Sequence, residues 1–125
     1  MSRRKSESDV KRDIVNVIRF EGGYARRIED KFSVGMPDMI LIPMRCPVIW
    51  AEVKIITGIT FGPSPRQLVE LRKLQRPPHS YSVVIGYKDG THYISEPHLE
   101  VNLQACISQN PDETLGHMIR RFYGD

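Results

Sequence analysis

Residues 35–54, GMPDMILIPMRCPVIWAEVK, read as two buried β-strands with a break between them. Apolar side chains fill the stretch, yet Asp38 opens the first strand and Glu52 and Lys54 close the second. Burying a charge costs several kcal/mol unless it is paired or bound to a metal. In an extended strand, residues two apart point the same way, so Glu52 and Lys54 share a face with Trp50 while Ala51, Val53 and Ile55 face the other side. With strand 38–43 paired beside strand 48–55, Asp38 comes close to Glu52, and two carboxylates and an ammonium converge at one edge of the core.

Such a pair repels itself unless a proton or a cation intervenes. Mg²⁺ takes hard oxygen ligands and commonly uses one or two carboxylates plus water and substrate phosphate. A metal held there can polarise a phosphodiester and supply the attacking nucleophile, with a neighbouring lysine stabilising the charge that grows on the phosphate. The alternative is a Glu52–Lys54 ion pair, with Asp38 capping a turn after Pro37.

Outward from this centre, residues 7–20 place Val10, Ile14, Val17 and Ile18 on one helical stripe that stops at Gly22-Gly23. YARRIED (24–30) is a short strand. Pro43 and Pro47 bracket the turn between strands 38–43 and 48–55, and the second is apolar enough for burial on both faces. The loop ITGITFG (56–62) leads to a helix over 64–75, started by Ser64 and Pro65 and ended by Pro77-Pro78. Ser64-Pro65-Arg66-Gln67 is also a capping box, in which Gln67 reaches back to the Ser64 amide. SYSVVIGY (80–87) and THYIS (91–95) form a hairpin around KDG (88–90), and the segment 97–125 is expected as one or two short helices. The order α-β-β-β-α-β-β-α, with a βαβ crossover through helix 64–75, predicts an α/β fold: a mixed sheet flanked by helices. Tyr24, Trp50 and Cys46 are expected in the core.

The 125 residues are 40% hydrophobic and 26% charged with a formal charge of +3, the composition of one globular domain and compatible with a polyanion partner. Two cysteines and four scattered histidines lack zinc-ligand spacing. With no apolar signal and no membrane-length run, a cytoplasmic protein is expected.

The Pro37-Asp38 and Glu52-Val53-Lys54 elements resemble the PD-(D/E)xK nuclease signature. Together with the N-terminal helix, GGYARRIE and GPSPRQLVELRKL ahead of the YSVVIGY strand, residues 7–95 are similar to the small VRR-NUC branch of that superfamily, and more distantly to archaeal Holliday junction resolvases. The resemblance implies a restriction-endonuclease-like core and a Mg²⁺- or Mn²⁺-dependent endonuclease. It implies Asp38, Glu52 and the Val53 carbonyl as metal ligands, Lys54 as catalytic lysine and Gln67 as a catalytic glutamine. An acidic residue of the first helix joins them, Glu7 or alternatively Asp9. Arg26, Arg27, Lys31 and Arg66 are candidate phosphate contacts; Arg72, Lys73 and Arg76 fit a solvated helix face. Small stand-alone members resemble phage enzymes that act as homodimers on branched DNA, including four-way junctions. Two other readings stand beside this one: a non-catalytic DNA-binding module, and a nuclease of similar chemistry with a sequence-defined target.

Overall fold

The computed structural model describes residues 4–28 and 35–124. Helix α1 (Glu7–Phe20) begins at a capping box: Ser6 Oγ accepts from the Asp9 amide, and the Asp9 carboxylate accepts from the Ser6 amide. Val10, Ile14, Val15 and Ile18 are buried, and the expected stripe member Val17 is only partly so. Full burial of Ile14 and Ile18 stabilises the fold by about 1.5–3 kcal/mol each. Gly22, at φ +88°, turns the chain out of the helix.

Strands β1 (Tyr24–Arg27), β2 (Met39–Ile42) and β3 (Val48–Ile55) form an antiparallel meander. A two-residue strand β4 (Thr60–Phe61) precedes helix α2 (Pro65–Leu74), which crosses over to β5 (Ser80–Lys88), parallel to β3 over its full length. Strand β6 (Thr91–Ser95) returns antiparallel through a turn with Asp89 and Gly90 both at positive φ, as a two-residue hairpin requires. Strands β7 (Val101–Asn102) and β8 (Ile107–Ser108) and helix α3 (Leu115–Tyr123) complete the chain. The main sheet runs β1-β2-β3-β5-β6-β8, and β4 pairs with β7 in a small second sheet.

The predicted mixed α/β architecture is observed. Helices α1 and α3 cover one face through a core that includes Ile14, Met39, Leu41, Ile49, Val53 and Met118. On the other face Leu71 of α2 packs with Ile56, Phe61, Val84 and Val101. β3 sits between β2 and β5 in the middle of the sheet, so the helical layers on the two sides bury it on both faces.

Three expectations need correction. The segment after Pro97 is not helical throughout: Val101 and Asn102 pair with Phe61 and Thr60, a 3-10 turn (Leu103–Ala105) and β8 follow, and only α3 is an α-helix. The loop 56–62 correspondingly contains a strand, and Gly62 packs against the Leu99 carbonyl so closely that no Cβ fits. Tyr24 is 52% exposed rather than in the core, because β1 is an edge strand and Tyr24 points to its uncovered face. Trp50 is half-buried, and Cys46 packs partly buried against the core. No helix among the described residues is long and apolar enough to cross a membrane.

Candidate functional site

The register Met39↔Ala51 and Ile40↔Trp50 between β2 and β3, extended by one residue, sets Asp38 level with Glu52. Asp38 is locked there from both sides. Its carbonyl accepts from the Ile28 amide at 2.8 Å, and its Oδ2 accepts from the Val53 amide at 2.8 Å. Three residues ahead of it, Gly35 has a φ of +89°, and a Cβ there would lie 2.9 Å from the Arg66 carbonyl oxygen, so no side chain fits. The entry to β2 is thereby packed against the first turn of α2.

Glu52 is 1% exposed, and among the described residues neither of its carboxylate oxygens has a hydrogen-bond partner. Burial raises its pKa to about 9, Asp38 pushes the same way, and Lys54 and Lys11 pull partly back. No Glu52–Lys54 ion pair forms among the described residues, so the simple salt-bridge alternative is not what holds these charges. A buried carboxylate without donors is costly in itself, and such groups mark places where another ligand or a proton belongs.

A third group joins this pair. The Lys11 ammonium lies 2.9 Å from Asp38 Oδ1 and 3.0 Å from Glu7 Oε1, bridging the two acids. Burial opposes its charge, but the hydrogen bonds to Asp38 and Glu7 outweigh it and raise its pKa. Glu7 thus reaches the site through Lys11. The alternative acid, Asp9, closes the helix cap and pairs with Arg12 at 3.1 Å.

The donor set fits a hard divalent cation. Two facing carboxylates, one of which meets no N–H or hydroxyl donor among the described residues, are what Mg²⁺ or Mn²⁺ uses when water and phosphate complete its shell. Among the described residues no cluster of three His, Cys, Asp or Glu side chains adds to them, so the remaining ligands would come from backbone and solvent.

Other predicted site residues are placed more widely. Gln67 makes the capping box, its Oε1 accepting from the Ser64 amide at 2.9 Å while Ser64 Oγ accepts from the Gln67 amide at 3.2 Å. Arg66 is exposed in the first turn of α2. Arg26 and Arg27 point to opposite faces of β1. Through Ile40 and Trp50, Arg26 shares the face of Glu52, whereas Arg27 shares the α1 face with buried Ala25. Lys31 lies outside the described residues.

Among solved structures, Hjc from Archaeoglobus fulgidus, a Holliday junction resolvase from an archaeal hyperthermophile, matches 80% of this chain and 86% of its own with a TM-score of 0.61 and 15% identity. This chain has the resolvase fold. No family model matches the sequence, and no curated protein does. On this resolvase fold, Asp38, Glu52 and Lys54 gather at one end of the β2–β3 pair, where α1 delivers Lys11 and Glu7.

Lys11 is the site residue that sequence reasoning missed. The Glu7–Lys11 spacing of four along one helix face was the available signal. The contact that gives it meaning, with Asp38, is far away in the chain.

Proposed function

We propose that the protein is a Mg²⁺- or Mn²⁺-dependent DNA endonuclease of the PD-(D/E)xK superfamily, of the VRR-NUC type, that acts on branched DNA such as Holliday junctions. One observation carries the reading: the buried, donorless carboxylate of Glu52 set beside Asp38 on rigid strands. The resolvase fold supports it.

In this reading Asp38, Glu52 and the Val53 carbonyl hold the cation, which supplies Lewis-acid polarisation of the scissile phosphodiester. The Val53 amide fixes the Asp38 carboxylate in one orientation, so the ligand is set before metal arrives. Lys54, with no ion-pair partner among the described residues, keeps its ammonium available to the phosphate on the same face as Glu52. Lys11 and Glu7 complete the charge balance around Asp38, and Gln67 orients the start of α2 near the site. A homodimer would bring two such sites to two strands, as symmetric cutting of a junction needs.

The test is incubation of the purified protein with a labelled four-way junction and its linear duplex control, each in Mg²⁺, Mn²⁺ or EDTA, beside Glu52→Ala. Metal-dependent cutting of the junction, lost in the variant, is expected. Equal cutting of both DNAs would remove the branched-substrate claim. Cutting of one duplex sequence only would point to a sequence-defined target. DNA binding with no cutting under either metal would make the protein a binding module.

A further inference from the structure

A groove of about 340 Å³ runs between α1 and β1, lined by Ser8, Arg12, Val15, Asn16, Arg19 and Arg27. Its volume is at the lower end of the range of small-ligand sites, about 300–1,000 Å³. Five of its six lining residues carry polar side chains, and three of those are guanidinium groups. Arg12 is compensated by Asp9 at 3.1 Å and more distantly by Asp13. The other two are not. Arg19 donates through Nε to the Ala25 carbonyl at 3.0 Å, and Arg27 through Nη1 to the Ser8 hydroxyl at 3.3 Å. Both acceptors are neutral, and neither arginine has a carboxylate within ion-pair distance among the described residues. Each guanidinium offers five N–H donors and spends one on the protein. Two uncompensated, donor-rich cations in one concave groove suit an oxyanion, and on a protein read as a DNA nuclease that oxyanion is a backbone phosphate.

The groove is placed to serve the acid site. Arg27 pairs with Met39, the residue after Asp38, and Ser8 follows Glu7. From there the lining follows α1 to Arg19, about 16 Å at 1.5 Å per residue. That length matches about five steps of one DNA strand at an axial rise of 3.4 Å.

We propose that the Arg19–Arg27 groove, with Arg12, Ser8 and Asn16, is a track for the sugar-phosphate backbone of the DNA strand leading away from the acid site. The proposal rests on the reading of the protein as a DNA nuclease, and extends it by assigning Arg12 and Arg19, which the sequence pattern did not mark, to substrate binding. Arg19 and Arg27 carry the affinity. Arg12 contributes less because its charge is already opposed.

The test separates binding from cutting. Affinity for a fluorescein-labelled four-way junction is measured in EDTA between 50 and 200 mM NaCl for the wild type, an Arg19→Gln/Arg27→Gln double variant and an Arg19→Lys/Arg27→Lys double variant. A control, Arg72→Gln/Lys73→Gln, alters the exposed face of α2. Circular dichroism confirms that each is folded. Each lost phosphate contact lowers the slope of log K against log salt by about 0.9, so the glutamine pair should lose about 2 units and bind about 10- to 100-fold more weakly at 0.1 M salt. The lysine pair should keep a slope near wild type, and the α2 control should be unchanged.

An unchanged slope in the glutamine pair overturns the proposal, as does an equal loss in the α2 control, which would mean diffuse charge. Inorganic phosphate is titrated separately, following the arginine Nε–H resonances of groove residues. Saturable shifts with phosphate, together with an unaltered DNA slope, would assign the groove to a small phosphorylated ligand and overturn the backbone track. The nuclease reading fails separately: a slope lowered in the glutamine pair, with a wild type that cuts no DNA in metal, keeps the track and loses the nuclease. Wild type that cuts, with slopes unaltered by Arg19 and Arg27, loses the track and keeps the nuclease.

Discussion

Replacing Glu52 by glutamine should make the metal-free protein more stable at pH 8 while abolishing its proposed metal binding. The carboxyl group is 1% exposed, without hydrogen-bond donors, and its pKa lies at about 9 instead of 4.5, through burial first and Asp38 second. A group whose pKa is raised by folding contributes stability that is fully present below its unfolded pKa and is lost as pH climbs through the folded value. The Glu52 contribution to wild-type stability therefore falls between about pH 4.5 and 9. At pH 8 the difference amounts to roughly 3.5 units, an upper bound of about 5 kcal/mol at 1.36 kcal/mol per unit. Glutamine keeps the shape, carries no charge, and its amide can donate to the Asp38 carboxylate. Urea unfolding in EDTA should show the Glu52→Gln midpoint raised by about 1–2.5 M at pH 8, given slopes of roughly 2 kcal/mol per M. The two proteins should converge near pH 4.5. A glutamine variant no more stable than wild type at pH 8, or one with the same pH slope, would refute the account of Glu52 as a buried, unsolvated acid.

Lys11→Met should bind Mn²⁺ more tightly, by about tenfold, because the ammonium at 2.9 Å from Asp38 competes with an incoming cation; calorimetric titration showing equal or weaker affinity would reject that competition. Ser64→Ala removes the acceptor that caps α2 and should cost about 1 kcal/mol, read as a fall of about 4 °C in melting temperature. Gly35→Ala should destabilise by about 2 kcal/mol and weaken metal binding too, since the left-handed backbone and the Arg66 carbonyl leave a methyl group no space; unchanged unfolding would show the turn to be pliable.

The parts of this fold with a period were legible in the sequence. The stripe of α1, the apolar run Val48–Ala51 that opens β3 and the Ser-Pro start of α2 each declare an element through local chemistry. The two-residue strands β4, β7 and β8 are too short to show any alternation, and they exist because their partners lie elsewhere in the chain. Tyr24 was misplaced for a related reason: whether a strand's second face is covered depends on sheet order, and β1 turned out to be an edge. At the site, strand alternation and a hairpin-like separation were enough to bring Asp38 to Glu52. They could not reveal Lys11, whose role depends on how α1 docks, nor which of the opposite-facing Arg26 and Arg27 shares the face of Glu52, which depends on the strand register.

The lysine bridge has a consequence for the order of events in the life of the chain. Many small metal sites fold only as the ion arrives, and fall apart when it is withdrawn. Here the ammonium of Lys11 already occupies one oxygen of Asp38, and the raised pKa of Glu52 keeps a proton on the other acid at neutral pH. Both placeholders come from the chain and from water, so on the proposed metal-dependent reading the charges of the site are balanced before any divalent ion binds. Chelation would then return the site to a resting state with its architecture intact, and reloading would be an exchange of cations instead of a refolding.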